Sequence, residues 1–264
     1  MFIGNMVTEA IPARVYSLYK ISISKKDITR TEVQRQMEPP GIYEGDSSYF
    51  SAILKAATEL KLVEVQDNIV VPLISKEQIK DIDDFRLHVI SKIDTFSSEQ
   101  FFKCTNTIIN MNEDVYKYSS ISHSDMLYIL TTAIGQQINE TMARGWRFWA
   151  QFLGFGYMNN MAFLPNAYIF TKNILRLLKL EKNKEYKIND FMTLFNQYGK
   201  ILTDNLNPEQ NMNIALSSAL RELHDNEEIE LKYSSDAENR WVLYSSNEFF
   251  NEQVASITFK GLKK

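Results

Sequence analysis

Histidine and cysteine most often carry acid–base or nucleophilic chemistry, and this sequence has few of them. The histidines are His88, His123 and His224, and none has another His or Cys at the spacing of a metal site. The single cysteine, Cys104, lies in the apolar stretch FFKCTNTII, which is typical of an inert buried thiol. His123, in SHSD (122–125), is better explained as part of a helix N-cap than as half of a catalytic pair.

Sequence motifs that identify an enzyme do not occur. The chain has no phosphate-binding loop, no glycine-rich dinucleotide motif and no carboxylate cluster of nuclease type. We therefore expect a protein without catalytic activity, cofactor or metal. The exception would be an active site whose residues are dispersed along the chain, because such a site shows no motif. One cysteine excludes an intramolecular disulfide, and neither a signal peptide nor an apolar run of about 18 residues occurs. We expect a cytoplasmic protein.

Basic residues near the N-terminus could hold a phosphate backbone. Lys25 and Lys26 precede a predicted helix that carries Arg30 and Arg35. In helix-turn-helix folds the same region commonly lies near the DNA backbone. These four residues are candidates for salt-sensitive DNA binding that depends little on base sequence.

The next predicted helix, in SSYFSAILKAATELK (47–61), has an outer face of small and weakly basic side chains. Phe50 lies on the apolar face, whereas Ser48, Ser51 and Lys55 lie opposite. Small residues allow close approach to a groove, and serine and lysine can bond to phosphates. No Arg, Asn or Gln lies there for direct base readout, and a merely solvated helix face explains the pattern equally well.

Arginine and tryptophan alternate in a central basic stretch. Residues 125–180 contain five Lys and Arg and two acidic residues. Arg144 and Arg147, with Trp146 and Trp149, suit nucleic-acid binding by phosphate pairing and stacking. The alternative, which we favour, places Trp149, Phe152 and Leu153 in the core and leaves the arginines to reach solvent or pair with acids.

The C-terminal part has the opposite charge balance. Residues 181–246 contain seven Lys and Arg against twelve Asp and Glu, a balance that repels a phosphate backbone. A predicted helix there presents Gln210, Ile214, Ser217 and Arg221 on one face. Because an apolar residue within a charged rim suits a protein partner, we predict a protein interface on this face.

The whole chain has 264 residues and a net charge of −4. The length suits two domains or slightly more. Because a protein that is coated in nucleic acid is usually basic, any DNA contact here must be a local patch.

The order of predicted elements suggests a winged helix in residues 1–74. A first helix is followed by a short extended piece and by a second helix that Thr29 and Glu32 cap reciprocally. The third helix leads into a hairpin that turns at Asp67-Asn68.

Residues 166–246 repeat this order. Helices are predicted to start at Asn166, Asn189 and Asn207, and EIELKY and RWVLYS are predicted to pair as a second wing. The tail, residues 247–264, is predicted to pack as a helix or a strand.

Residues 75–165 are predicted to be mostly helical. The longest helix begins near Asn139 and stops at Gly154, and a small hairpin then turns at Asn159-Asn160. The predicted fold class is mainly α with small β-hairpins (α+β), with two winged-helix domains flanking a helical central region.

The stretch RGWRFWAQFLGFGYMNNMAFLPNAYIF (144–170) resembles the middle of DpdG-like proteins. It combines an aromatic-rich helix that closes on Leu-Gly, a short hairpin, and a helix opened by LPNA, where the family usually has Pro-Asp-Pro. The resemblance implies a bacterial system that modifies DNA with 7-deazapurines and restricts unmodified DNA. It also implies a non-enzymatic component of an anti-phage assembly that contains a nuclease or helicase.

We therefore expect a DNA-binding and scaffolding subunit of a prokaryotic anti-phage defence complex. One alternative is a winged-helix transcription regulator, which would bind a palindromic operator as a dimer with half-sites about one DNA turn apart. The other is a protein-only structural adaptor, which would bind no DNA.

Overall fold

The computed structural model describes residues 1–38, 47–204, 206, 211–234, 239–245 and 252–263. In these ranges the chain is mainly helical with small antiparallel sheets, as the sequence predicts. No helix in the described ranges has the length and apolar character needed to cross a membrane.

The N-terminal unit contains three helices and a hairpin. Its elements are α1 (Pro12–Ser22), α2 (Arg30–Met37), α3 (Ser48–Glu59), β1 (Val63–Gln66) and β2 (Ile69–Pro72). The strands pair antiparallel with Gln66 opposite Ile69. This order is the one predicted from the sequence, and the assignment of the unit as a winged helix stays a prediction.

Local hydrogen bonds and turns define the ends of these elements, and the Thr29–Glu32 capping box and the Asp67-Asn68 turn are as predicted. The Thr29 side chain accepts a hydrogen bond from the Glu32 N–H while Glu32 caps the Thr29 N–H, which is the reciprocal capping box. Ser47 caps α3 by accepting from the Phe50 N–H. Asp67 and Asn68 both have positive φ, the backbone of a two-residue hairpin turn.

The central region contains short helices and one long one. Its elements are α4 (Ile82–Ile90), the 3-10 helix η1 (Ile93–Phe96), α5 (Gln100–Asn110), the 3-10 helix η2 (Asn112–Lys117), α6 (Ser124–Ile134), α7 (Glu140–Leu153), β3 (Gly156–Asn159) and β4 (Ala162–Pro165). Asn139 caps α7, and Gly154 ends it in the left-handed conformation, as predicted. The hairpin turns at Asn160-Met161, one residue later than predicted.

The C-terminal part is helical with a four-stranded sheet. Its elements are α8 (Tyr168–Leu178), β5 (Lys184–Lys187), α9 (Ile188–Thr203), α10 (Ile214–Asp225), β6 (Ile229–Tyr233), β7 (Trp241–Val242) and β8 (Gln253–Phe259). β8 comes from the predicted tail and forms a strand, one of the two possibilities left open by the sequence.

The predicted second wing does not form as a simple hairpin. β6 and β7 do not pair with each other; β6 pairs antiparallel with one edge of β8, and β5 and β7 pair antiparallel with the other edge. β8 is buried along most of its length, so this strand gains more from a central position than either β6 or β7. The winged-helix repeat predicted for this part is therefore interrupted by the tail.

Of the three predicted helix starts in this part, one is close to its predicted place, one is shifted and one lies outside the described residues. The Asn166 side chain accepts from the Tyr168 N–H at the start of α8, close to its predicted role. Asn189 lies inside the first turn of α9 and accepts from the Trp241 indole N–H instead. Asn207 is outside the described residues, and α10 starts later, with Asn213 as its cap.

Helix α7 connects the N-terminal unit to the central core through two buried tryptophans. The Trp149 indole N–H donates to the Ala10 carbonyl at 2.7 Å, and the Trp146 indole N–H donates to the Thr105 hydroxyl at 2.8 Å. Both rings are buried, as is Leu153, whereas Phe152 is half-buried. The core position predicted for Trp149 and Leu153 is therefore confirmed. Each buried N–H has a partner, which a polar group in a core requires.

Residues 1–10, which we call the N-terminal strap, lie directly on α7. A side-chain carbon at Gly145 would lie 2.6 Å from the Val7 carbonyl oxygen, so only glycine lets the strap approach this closely. Phe2 is buried and packs edge-to-face on Trp149, with ring centroids 4.7 Å apart, and stacks on Phe96 at 5.2 Å.

A buried ionic cluster anchors the last described residues of the chain. The Lys172 ammonium lies 2.6 Å from the Glu228 carboxylate, and Glu228 is fully buried. The same carboxylate accepts from the Lys263 backbone N–H at 2.8 Å. α8, the turn before β6 and the residues after β8 are therefore held together by one acid.

We predict that Gly145→Ala destabilises the protein. Alanine favours a helix by about 1 kcal/mol over glycine, but the new methyl group overlaps the Val7 backbone and overpacking costs roughly 1–3 kcal/mol. The net fall in unfolding free energy should be about 1 kcal/mol or more, measured by urea denaturation with tryptophan fluorescence. Arg144→Ala, one residue earlier on the same helix and exposed, should change the unfolding free energy by less than about 0.5 kcal/mol. A stabilised Gly145→Ala variant would contradict the close contact.

Candidate nucleic-acid interface

Three of the predicted DNA-binding residues line one cleft on the N-terminal unit. Arg30, Ser51 and Lys55 share this cleft of about 880 Å³ with Lys61 and Lys92. Four cationic side chains are thus directed at one depression in a protein that is acidic overall. We call it the basic cleft.

The two walls of the basic cleft come from different parts of the chain. α3 supplies Ser51, Lys55 and the apolar Leu54, while the η1 region supplies Lys92 and Phe96. Further lining residues are Ile3, Thr58, Glu59, Val65, Thr95 and Glu99. The cleft therefore exists only because the central region packs beside α3.

Local backbone geometry places Lys61 at the end of the α3 wall. Lys61 has φ +56, a left-handed residue directly after the helix, and its N–H donates to the Thr58 carbonyl. This is the usual way to terminate a helix, although glycine or asparagine is the commoner residue. The Arg30 guanidinium lies 6.0 Å from the centre of the Phe50 ring, which places Arg30 beside α3.

The acidic residues of the basic cleft are engaged by the N-terminal strap. One Glu59 oxygen accepts from the Phe2 N–H at 2.8 Å and from the Met1 ammonium at 3.1 Å. Glu99 accepts from the Gly4 N–H at 3.0 Å. Lys55 lies 3.8 Å from the other Glu59 oxygen. The Met1 ammonium and Lys55 both lie near Glu59, and four cationic side chains face two acidic ones in the lining, so the net charge of the cleft is positive.

The structure places other predicted DNA-binding residues outside this lining. Lys25 pairs with Glu32 at 2.6 Å, and this hydrogen bond, with those from Thr29, lowers the pKa of Glu32 to about 2. Lys25 and Lys26 line a second groove of about 660 Å³ between the end of α1 and β2. Arg35 and Ser48 are exposed on α2 and α3.

The two central arginines form a third, separate group. Arg144 pairs with Glu140 at 2.8 Å on the surface of α7. The Arg147 guanidinium lies 5.1 Å from the centre of the Phe148 ring and 3.6 Å from the Met161 sulfur. Neither arginine is among the residues lining the basic cleft.

The protein interface predicted on α10 is wrong for Ser217, which is buried, and Arg221 on the same face is paired within the chain. Ser217 is fully buried, and its hydroxyl accepts from the Tyr244 N–H. Arg221 pairs with Glu252 and donates to the Tyr244 carbonyl, both at 2.9 Å. Tyr244 after β7 and Glu252 before β8 contact this face, which a helical wheel drawn on α10 alone cannot show. Ile214 is half-buried, and Gln210 lies outside the described residues.

Two lysines of the basic cleft were not among the residues predicted from the sequence. Lys61 was visible as a lysine after α3, but nothing marked it as facing a cleft. Lys92 lies far from α3 in sequence, and no spacing pattern links the two. The Glu59 and Glu99 contacts with the strap are likewise long-range.

The three histidines form hydrogen bonds with backbone groups, and the single cysteine is buried. His88 Nε2 lies 2.8 Å from the Leu60 carbonyl, and His224 Nδ1 accepts from the Leu231 N–H. His123 caps α6 by accepting from the Asp125 N–H, which confirms the predicted N-cap. Burial raises the pKa of the Cys104 thiol to about 12. Among the described residues, no three His, Cys, Asp or Glu side chains are grouped to hold a metal ion.

Comparison with known proteins found one family. A family model described as DpdG-like matches residues 1–237. No curated protein and no solved structure matches the chain.

The 3-10 helix η1, which follows Lys92 in the wall of the basic cleft, packs against α9 and partly buries Asp94. The Asp94 carboxylate lies in η1 and faces the backbone of Lys200 and Ile201 near the end of α9. Burial raises its pKa from 3.8 to about 6, although the Lys200 backbone and charge act in the opposite direction. The folded state therefore binds this proton more tightly than the unfolded chain.

We predict that Asp94 makes the protein less stable as pH rises. Because the folded pKa is about 6 and the ordinary value is 3.8, its contribution should be lost between about pH 4 and pH 6. Urea denaturation across this range should show the loss in the wild type and a weaker loss in Asp94→Asn. Asp67→Asn, in the exposed hairpin turn, should retain the wild-type pH dependence. Identical pH profiles for Asp94→Asn and the wild type would exclude this role.

Proposed function

Because the chain belongs to the DpdG-like family, a family of DNA-modification and defence systems, we propose that it is a non-enzymatic DNA-binding and scaffolding subunit of an anti-phage defence complex. In this proposal the basic cleft contacts the DNA backbone, and other surfaces hold partner proteins of helicase or nuclease type. The observation that carries the proposal is the convergence of Arg30, Lys55, Lys61 and Lys92 on one cleft.

The chemistry of the basic cleft suits phosphate more than bases. Lysine ammonium groups act as point charges toward phosphate, and the Ser51 hydroxyl and Arg30 guanidinium add directed donors. The α3 wall carries no Asn or Gln that could read a base edge. Binding should therefore be salt-sensitive and largely independent of sequence.

The charge of the whole protein limits the expected affinity. With a net charge of −4, the chain lacks the general basic field that increases the rate of DNA association. A few phosphate contacts, each releasing counterions, give affinities that fall steeply with added salt. A subunit with such weak binding would depend on partners for stable engagement, which agrees with a scaffolding role.

The side chains available for catalysis support the non-enzymatic part of the proposal. His88, His123 and His224 each hydrogen-bond to the backbone. Cys104 is buried and its raised pKa disfavours the reactive thiolate. These four side chains are explained by packing and capping.

We predict that removing cleft charges weakens DNA binding. Lys55→Gln, Lys61→Gln and Lys92→Gln combined should lower affinity for duplex DNA at least tenfold at about 50 mM salt. Each lysine that contacts phosphate should lower the salt-dependence slope by about one when removed. Fluorescence anisotropy with a labelled duplex measures both quantities.

The matched control removes the same charge elsewhere. Lys179, Lys182 and Lys187 are exposed near β5, and changing all three to Gln should leave affinity near that of the wild type. Equal losses in both triple variants would indicate only bulk charge attraction. No binding by the wild type at about 50 mM salt would remove the DNA proposal and leave a protein-only adaptor, whereas binding that resists competitor DNA would favour a transcription regulator.

A further inference from the structure

Three tyrosines lie around one glutamate on the surface next to α10. Tyr116 is 48% exposed and Tyr157 is 54% exposed, although each carries a large ring. Tyr244 is half-buried beside them, and Glu113 is exposed in the same neighbourhood. We call these four residues the tyrosine–glutamate site.

The fold brings the four residues together from separate elements. Glu113 and Tyr116 belong to η2, and β4, whose partner strand β3 carries Tyr157, packs against η2. η2 is joined to α10 by a hydrogen bond from the Ile214 N–H to the Asn112 side chain. Tyr244 is held over α10 by the Ser217 hydroxyl.

The ionisable groups of the four residues also affect one another electrostatically. Burial raises the pKa of Tyr116, and the proximity of Tyr157, Tyr244 and Glu113 raises it further. Burial also raises the pKa of Tyr244, and the nearby charge of Glu113 raises it further. In the part of the chain that the structure describes, no Lys or Arg forms an ion pair with Glu113, whereas its neighbour Asp114 is paired with Lys117 at 2.7 Å.

Aromatic faces beside a carboxylate are the chemistry that binds an organic cation. Tyrosine rings attract an ammonium or guanidinium group by their negative faces, and a carboxylate adds a direct charge pair. Tyrosine is also enriched at the energetic centres of protein interfaces. We propose that the tyrosine–glutamate site docks a lysine or arginine side chain from a partner protein, and this inference rests on the scaffolding part of the proposed function.

The charge around the site argues for a protein segment over a nucleic acid. Glu113 and Asp114 lie beside the tyrosines, and residues 181–246 carry more acidic than basic side chains. A phosphate backbone would be repelled from this surface, so the rings are poorly placed for stacking on bases. A basic peptide segment is attracted by the same charges.

The probe is a fluorescently labelled octapeptide of alternating lysine and serine, with its fully lysine-acetylated form for comparison. The full chain should bind the unmodified peptide more tightly than the acetylated one. Tyr116→Ala combined with Tyr157→Ala should weaken binding about tenfold, the loss of roughly 1–2 kcal/mol of cation–π attraction. Glu113→Gln should also weaken it, and Tyr128→Ala, which removes a 72% exposed ring on α6, should not.

Several outcomes would overturn the proposal. The first is no binding of the lysine peptide, and the second is equal binding of the acetylated peptide. The third is a loss of binding in Glu113→Gln alone, which would mean that only charge attraction holds the peptide. Binding of single-stranded oligothymidine that the double tyrosine variant abolishes would assign the rings to nucleic acid instead. Wild-type self-association in sedimentation that the same variant abolishes would assign them to a second copy of the chain.

The duplex-binding assay separates this inference from the DNA proposal. The double tyrosine variant should keep wild-type affinity for duplex DNA, because the tyrosine–glutamate site shares no residue with the basic cleft. Loss of peptide binding with DNA binding intact supports the docking site. Loss of both activities in the double variant would indicate a folding defect. The single variant Tyr157→Phe then decides the question, because it keeps the ring and should keep peptide binding.

Discussion

The close contact between the N-terminal strap and α7 is the constraint on which much of this structure depends. The contact requires glycine at position 145, because the Val7 backbone occupies the space that a side chain would fill. It also requires the Trp149 indole, which donates to the Ala10 carbonyl from inside the core. With both in place, Phe2 can pack between the N-terminal unit and the central helices.

The same contact shapes the basic cleft. Once the strap lies on α7, its backbone N–H groups reach Glu59 on α3 and Glu99 before α5. Two acids that would otherwise oppose the cleft cations are thereby used to hold the two walls near each other. The electrostatic character of the surface is thus a consequence of how the core is packed, and it could not be read from the lysines alone.

Sequence reasoning succeeded where structure is determined locally. The Thr29–Glu32 capping box, the Asp67-Asn68 turn and the stop at Gly154 each depend on residues within a few positions. It failed where partners are distant: β8 separates β6 from β7, and the Tyr244 segment buries Ser217. For the candidate site, Arg30, Ser51 and Lys55 were identified from the helix pattern, whereas Lys92 required the packing of the central region beside α3.

The protein thus has two surfaces of opposite chemistry, a cationic cleft that we propose for phosphate and an acidic aromatic site that we propose for a protein partner. In this proposal DNA occupies the cleft between α3 and η1. Hydrogen–deuterium exchange of the full chain, with and without a duplex of about two helical turns, tests this most directly. The account predicts slower exchange in residues 48–61 and 92–99 when DNA is present, with residues 112–117 unchanged. Slowing confined to the region of Arg144 and Arg147, or no slowing at all under conditions where DNA binds, would contradict it.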